Sequence, residues 1–166
     1  MTRYTTEEMA EMEALASARE RVAAGRERVN AFRETIPAKV EGFMGEWAVA
    51  DYLGVDRPKV VNPWSGDGGI DLWTRGGETV AVRSRPVGRG GRDLLSPCNR
   101  GWPAADWIVL VYVDQPRRTA ELVGCITRDR FREVAVVKYL RCDTFVVAPG
   151  ELIAPEAMRD GRTVAL

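Results

Sequence analysis

The sequence predicts an α/β fold: a central mixed β-sheet flanked by helices and preceded by a long N-terminal helix. Three observations carry this. Asp106–Asp114 (DWIVLVYVD) is apolar at both sets of alternating positions, as a strand covered on both faces must be. Residues 5–53 place their apolar side chains at helical spacing. Between and after these regions lie short β-branched segments bounded by Gly, Asp and Pro, which read as strands and turns. At 166 residues the chain suits one domain and can bury a core without disulfides or structural metal.

Residues 5–35 read as one long helix, opened by Thr5 or Thr6 and rich in Glu, Ala and Arg. Leu15, Val22 and Val29 recur every seven residues, with Met12 and Phe32 near the same face. Such a stripe docks either on its own domain or on a second copy as a coiled coil, which leaves a homodimer open. Pro37 is expected to end the helix, so residues 1–36 form a helical extension, 37–150 an α/β domain and 151–166 a peripheral tail.

A second helix is expected from Ala38 to Leu53, stopping at Gly54. At 100° per residue, Val40, Phe43, Met44, Trp47, Ala50 and Leu53 share a broad apolar arc, and Glu46 falls inside it. A carboxylate on a buried face is costly unless paired, hydrogen-bonded or metal-bound, so Glu46 faces either an arginine or an ion. Strands are then expected at Lys59–Asn62, Gly69–Thr74 and Glu78–Arg85. Residues 86–104 read as a loop with one helical turn at Asp93–Leu95. After Asp106–Asp114 come a strand Glu121–Ile126, a short helix capped by Thr127, and a last strand Asp143–Val147.

Charge is informative through its distribution. Twenty-four basic and twenty-four acidic residues cancel, so no global field favours a polyanion. Residues 83–100, however, hold five arginines (Arg83, Arg85, Arg89, Arg92 and Arg100) against one acid, Asp93, for a local balance of +4. Only three lysines occur, and an arginine-rich, lysine-poor composition fits a GC-rich bacterial or phage genome. There is no histidine, which excludes Ser-His-Asp and Cys-His catalysis and every histidine metal site. Three cysteines without a CxxC pair give no expectation of a disulfide framework or a zinc site. No run is long and apolar enough to cross a bilayer and the N-terminus lacks the apolar stretch of a signal peptide, so a cytoplasmic protein without membrane association is expected.

The chemistry concentrates in residues 65–85, SGDGGIDLWTRGGETVAVRSR. Gly-Asp-Gly-Gly is turn chemistry, but Asp71 sits beside Ile70, Leu72 and Trp73 in a strand-like segment where Asp is disfavoured. An acid in a strand, a second acid on a buried helix face and arginines ending the next strand could converge. Two carboxylates and substrate phosphate oxygens are what Mg²⁺ usually takes.

The segments GEWAVADYLG, SGDGGIDLW and TVAVRSR together resemble the PD-(D/E)XK, or restriction-endonuclease-like, nuclease superfamily, nearest to its Mrr-type and Holliday-junction-resolvase-like members. ADWIVLVYVD and ELVGCITRDRF resemble the later strands and helix of such proteins, so the likeness covers about residues 40–135. It implies a restriction-endonuclease-like core, with Asp71 as first metal-binding carboxylate and Glu46 as the helix glutamate that adds a ligand. The D/E-x-K element falls on Ala81-Val82-Arg83 and departs from the pattern twice: Ala81 has no oxygen to give, and Arg83 replaces lysine. An arginine clamps phosphate but is a poor proton acceptor at neutral pH. Lys59 could be a relocated lysine, whereas Glu78, three residues before Ala81, faces the other way.

The resemblance therefore implies a divergent nuclease-like protein acting on the DNA phosphodiester backbone. Glu46, Asp71 and Arg83 would be catalytic, the two acids holding Mg²⁺ or Mn²⁺ in one cleft with Arg83. Arg83, Arg85, Arg89, Arg92 and Arg100 would bind the nucleic acid; Trp73 and Trp102 could contact bases, yet Trp in strands and loops more often belongs to the core. A catalytically inactive nuclease-fold module that binds nucleic acid or a protein is the alternative, and an assembly protein using the N-terminal helix is the third reading.

Overall fold

The computed structural model describes residues 1–24, 35–59, 69–88, 93–98, 101–140 and 142–159. It is mixed α/β, a curled mixed sheet flanked by helices. Strand β1 (Thr2–Arg3) leads into helix α1 (Thr6–Ala24), then α2 (Ile36–Leu53), β2 (Leu72–Trp73), β3 (Thr79–Pro86), β4 (Leu94–Pro97) and β5 (Trp107–Asp114). There follow β6 (Thr119–Thr127), α3 (Arg128–Val134), β7 (Val136–Tyr139), β8 (Asp143–Val147) and the short helix α4 (Glu156–Arg159).

The described part of the expected first helix is Thr6–Ala24, and Val29 and Phe32 lie outside the described residues. Thr5 and Glu8 cap its start reciprocally: the Thr5 N–H donates to Glu8 Oε2 at 2.7 Å and the Glu8 N–H to Thr5 Oγ1 at 3.1 Å. Pro37 does not end a helix, contrary to expectation. It sits in the first turn of α2, where a missing N–H costs nothing, and Thr35 caps that turn by accepting the Ala38 N–H at 3.4 Å. Gly54 ends α2 as expected, at φ 66°, where a left-handed residue closes the last turn.

Among the described residues two sheets form rather than the one expected. The larger runs β1-β6-β5-β3-β2, with β3 and β5 parallel and the other pairings antiparallel. A parallel pair needs a long crossover, and here the crossover contributes β4 to a second sheet, β4-β8-β7. Leu94–Pro97 is thus a strand, not a helical turn. Its buried positions alternate, Leu94 and Ser96, and its partner β8 lies some fifty residues away, so no local signal reveals the pairing. The expected strand at Lys59–Asn62 lies mostly outside the described residues, and Lys59 itself is in no strand.

Two cores lie on opposite faces of the larger sheet. On one, α1 and α2 bring Met9, Met12, Ala16, Phe43, Met44 and Trp47 onto Val80, Val82, Val109 and Val111. Of the stripe expected on α1, Met12 and Leu15 pack inside their own domain. On the other, Ala81, Ile108, Leu110 and Ile126 meet Leu94, Phe131, Phe145 and Val147. Strand alternation sorts β3 and β5 between these cores, which is why DWIVLVYVD has no polar face. Trp102 covers the second core, its ring stacked on Phe145 at 4.1 Å. Met158 of α4 reaches the first core and is 2% exposed.

Candidate functional site

Asp71 lies just before β2. Its N–H donates to Val80 O at 2.9 Å, and its Oδ2 accepts the Val82 N–H at 2.7 Å. The carboxylate thus takes the ladder position that a backbone carbonyl would fill one residue earlier, which explains an acid in an apolar segment. Arg83, on β3, comes to the same oxygen: its Nη1 is 3.8 Å from Asp71 Oδ2 and donates to Val82 O at 3.0 Å. Both side chains are about one quarter exposed or less, 25% for Asp71 and 20% for Arg83. Gly69, at φ 84°, closes over this pair; a Cβ there would stand 3.7 Å from Arg83 Nη2. Asp67 and the rest of the GDG turn lie outside the described residues.

Ala81 points into the second core and is fully buried, so a methyl group stands where the family pattern has an acid. Arg85 shares the face of Ala81 and Arg83 by alternation. Its Nη1 donates to Asp93 O at 2.6 Å, tying the start of the crossover to β3. Arg89, Arg92 and Arg100 lie outside the described residues.

Glu46 is buried on α2, 8% exposed, and Arg19 of α1 places Nη2 3.5 Å from its Oε2. The Arg19 guanidinium also lies over the Phe43 ring at 3.9 Å, so cation–π attraction holds it in place. The neighbouring Gly45 presses on β3 so closely that a Cβ would overlap Ser84 Oγ and fall 3.3 Å from Val82 Cγ1. Val82 is therefore approached from two sides: the helix beside Glu46 packs on its side chain, and Asp71 takes its N–H. The structure brings Asp71 and Arg83 together and gives Glu46 an arginine of its own.

No protein-family model and no curated protein matches this chain. Its chemistry rests on the residues themselves.

Among the described residues no group of three or more His, Cys, Asp and Glu side chains gathers as a metal site. The acids the sequence singles out each face a guanidinium, and Asp71 Oδ2 is committed to a backbone N–H. Mg²⁺ demands near-octahedral oxygen ligation, and a dication beside these arginines would be repelled. This donor set is a poor match for Mg²⁺ or Mn²⁺. Two anchored guanidiniums on one strand face suit an anion instead.

Arg19 is the site residue that sequence reasoning missed. It follows Met12 by seven residues and Ala16 by three, so helical spacing already placed it on the docking stripe of α1. Lys59 is exposed and pairs with Glu11 at 2.7 Å, away from Asp71's contacts. Glu78 accepts the Trp107 Nε1–H at 3.1 Å, a structural role at the start of the parallel strands. Trp73 is 55% exposed on the edge strand β2 and Trp102 is committed to Phe145. A surface cleft of about 370 Å³, lined by Thr2, Asp51, Tyr52 and Glu156 among others, includes none of the predicted site residues. Burial, with Glu156 nearby, raises the Tyr52 hydroxyl above its ordinary range.

Proposed function

We propose that this chain is a restriction-endonuclease-like module that holds the phosphate backbone of DNA and does not hydrolyse it. The observation that carries this is the contact of Arg83 with Asp71, which sets a guanidinium where the family pattern would have a metal-binding carboxylate facing an ion. A neutralised acid cannot help recruit a dication, and an arginine cannot serve as the base that activates water. What remains is positioned positive charge. Arg83 and Arg85 are held by backbone carbonyls on one edge, and the crossover that follows adds Arg89, Arg92 and Arg100 in sequence. The chain order of an antiparallel β2–β3 pair, a crossover and a parallel β3–β5 pair is compatible with such a core.

Metal-dependent hydrolysis is the second reading. One observation favours it: the Asp71 side chain keeps a quarter of its surface exposed, so solvent reaches it. An assembly role through α1 is the third reading; Met12 and Leu15 of its stripe pack internally.

Fluorescence anisotropy with labelled duplex and branched DNA tests the proposal. Binding at low salt that weakens as salt rises is expected. Arg83→Ala and Arg85→Ala should each weaken it and lower the salt slope by about 0.9 for every phosphate that is no longer neutralised. Absence of binding at low salt would overturn it.

A further inference from the structure

β7 is the outer strand of the three-stranded sheet, and among the described residues no strand pairs with its far edge. An edge strand presents a row of N–H and C=O groups that can pair with another chain, and proteins usually protect it with charged side chains, proline or a bulge. This edge has little protection. Val136, Val137 and Tyr139, with Leu140 beyond them, are between 51 and 78% exposed, and Lys138 is the one charged residue in the strand. The register with β8 is unbroken: Val136 faces Val146, Val137 faces Phe145, Lys138 faces Thr144 and Tyr139 faces Asp143. By alternation Val137 and Tyr139 lie on the face of Phe145, which belongs to the second core, and Val136 and Lys138 lie on the other. Apolar side chains thus stand on both faces of a strand with one neighbour, lacking the cross-strand partners that a second neighbour would supply.

Charge and area select the occupant. Lys138, and Arg132 in the helix that leads into β7, are exposed and make no ion pair among the described residues. The nearby acids are placed elsewhere: Glu133 and Glu151 meet Arg130 at 3.1 and 2.7 Å, and Asp143 lies on the Tyr139 face. The edge therefore favours a partner that carries negative charge. A second copy fits poorly. Two β7 strands paired antiparallel about a two-fold axis keep like faces together, which sets both Lys138 side chains opposite or diagonal on one face, where like charges repel. The apolar side chains also make a patch on the order of a few hundred Å², short of the ~800 Å² that each partner buries in a stable dimer. We propose that β7 accepts an extended peptide segment of another protein as a fourth strand, with an acid opposite Lys138 and apolar residues opposite Val137 and Tyr139. Main-chain hydrogen bonds supply the affinity, and Lys138 with its alternating apolar neighbours supplies the choice. Asp71 and Arg83 belong to the other sheet, so this docking edge stands or falls apart from DNA binding.

Titration of the isotopically labelled full chain with a capped peptide, acetyl-Thr-Val-Glu-Val-Val-Thr-amide, tests this through amide NMR shifts. Paired antiparallel, its Glu falls opposite Lys138 and its flanking Val residues opposite Val137 and Tyr139. Shifts concentrated at Val136–Tyr139, with slowed amide exchange there, are expected. The same peptide with Lys in place of Glu should bind several-fold more weakly, and Lys138→Glu should reverse that preference. The two-peptide comparison on the wild type decides the matter even if the variant fails to fold. Three results would each overturn the proposal: no shifts at β7, equal binding of the two peptides, or β7 shifts that follow protein concentration without peptide, which would mean pairing with a second copy.

Discussion

The two faces of the five-stranded sheet are covered in different ways. The face under α1 and α2 is closed. Trp47, Phe43, Met44 and Met12 are all at 0% exposure, and Gly45 lets α2 approach β3 to within van der Waals contact. The face under β4, β7 and β8 is thinner. Its largest buried side chains are Phe131 and Phe145, and its outer strand β7 exposes Val136, Val137 and Tyr139 on both sides. At the margin of this second face, beyond the fully buried Ala81, lie Arg83 and Arg85. The helical face does the stabilising, and the charged residues sit where the covering layer is small enough to leave an edge in contact with water. Site and scaffold thus share one strand, β3, whose alternate residues serve each in turn.

Six substitutions sharpen or break this comparison. Trp47→Ala, on the closed face, should lose about 4 kcal/mol of unfolding free energy in urea titration, against about 3 for Phe131→Ala on the thinner face. The reverse ranking would mean that the second layer is the main core. Gly45→Ala should cost roughly 1–3 kcal/mol, because its Cβ would overlap Ser84 Oγ, and adding Ser84→Ala should restore part of the loss. No loss would show that α2 can slide away from β3. Asp71→Ala should cost about 1–2 kcal/mol by leaving the Val82 N–H without its acceptor. Arg83→Ala should cost less, about 1 kcal/mol or below, since the pair is partly solvated and Asp71 keeps the backbone bond.

The smallest effect is in pH dependence. The Thr79 N–H and hydroxyl, with Arg128 nearby, hold the Asp106 carboxyl below the usual carboxylate range. A lowered folded-state value contributes stability that is complete above the unfolded value, about 3.9, and is lost as pH falls from there through the folded value. Asp106→Asn should therefore flatten the acid limb below about pH 4 and leave the limb above about pH 5 unchanged. An unchanged acid limb would mean that other carboxylates set it.

Much of the scaffold was legible where patterns are local and strong. The arc of α2, its stop at Gly54, the buried run of β5 and the final strand Asp143–Val147 all follow from periodicity and turn residues, and each lies within a residue or two of its expected bounds. Pro37 misled because proline breaks a helix in its interior but suits the first turn, and residue order alone does not say which. β4 and the second sheet were illegible because a four-residue strand gains its meaning only from a distant partner. In the site, the identity of Asp71 and the shared face of Arg83 and Arg85 could be read from alternation. Their partners could not: that Arg19 meets Glu46, and that the Val82 N–H fills Asp71, depend on tertiary placement.

Incubation of supercoiled and branched DNA with the protein and Mg²⁺ or Mn²⁺, alongside Asp71→Ala, most directly tests whether the chain holds DNA without cutting it. Bound but intact DNA with both proteins is the predicted result. Cleavage by the wild type that disappears in Asp71→Ala would contradict it, and would mean that Arg83 yields its place beside Asp71 to a metal ion.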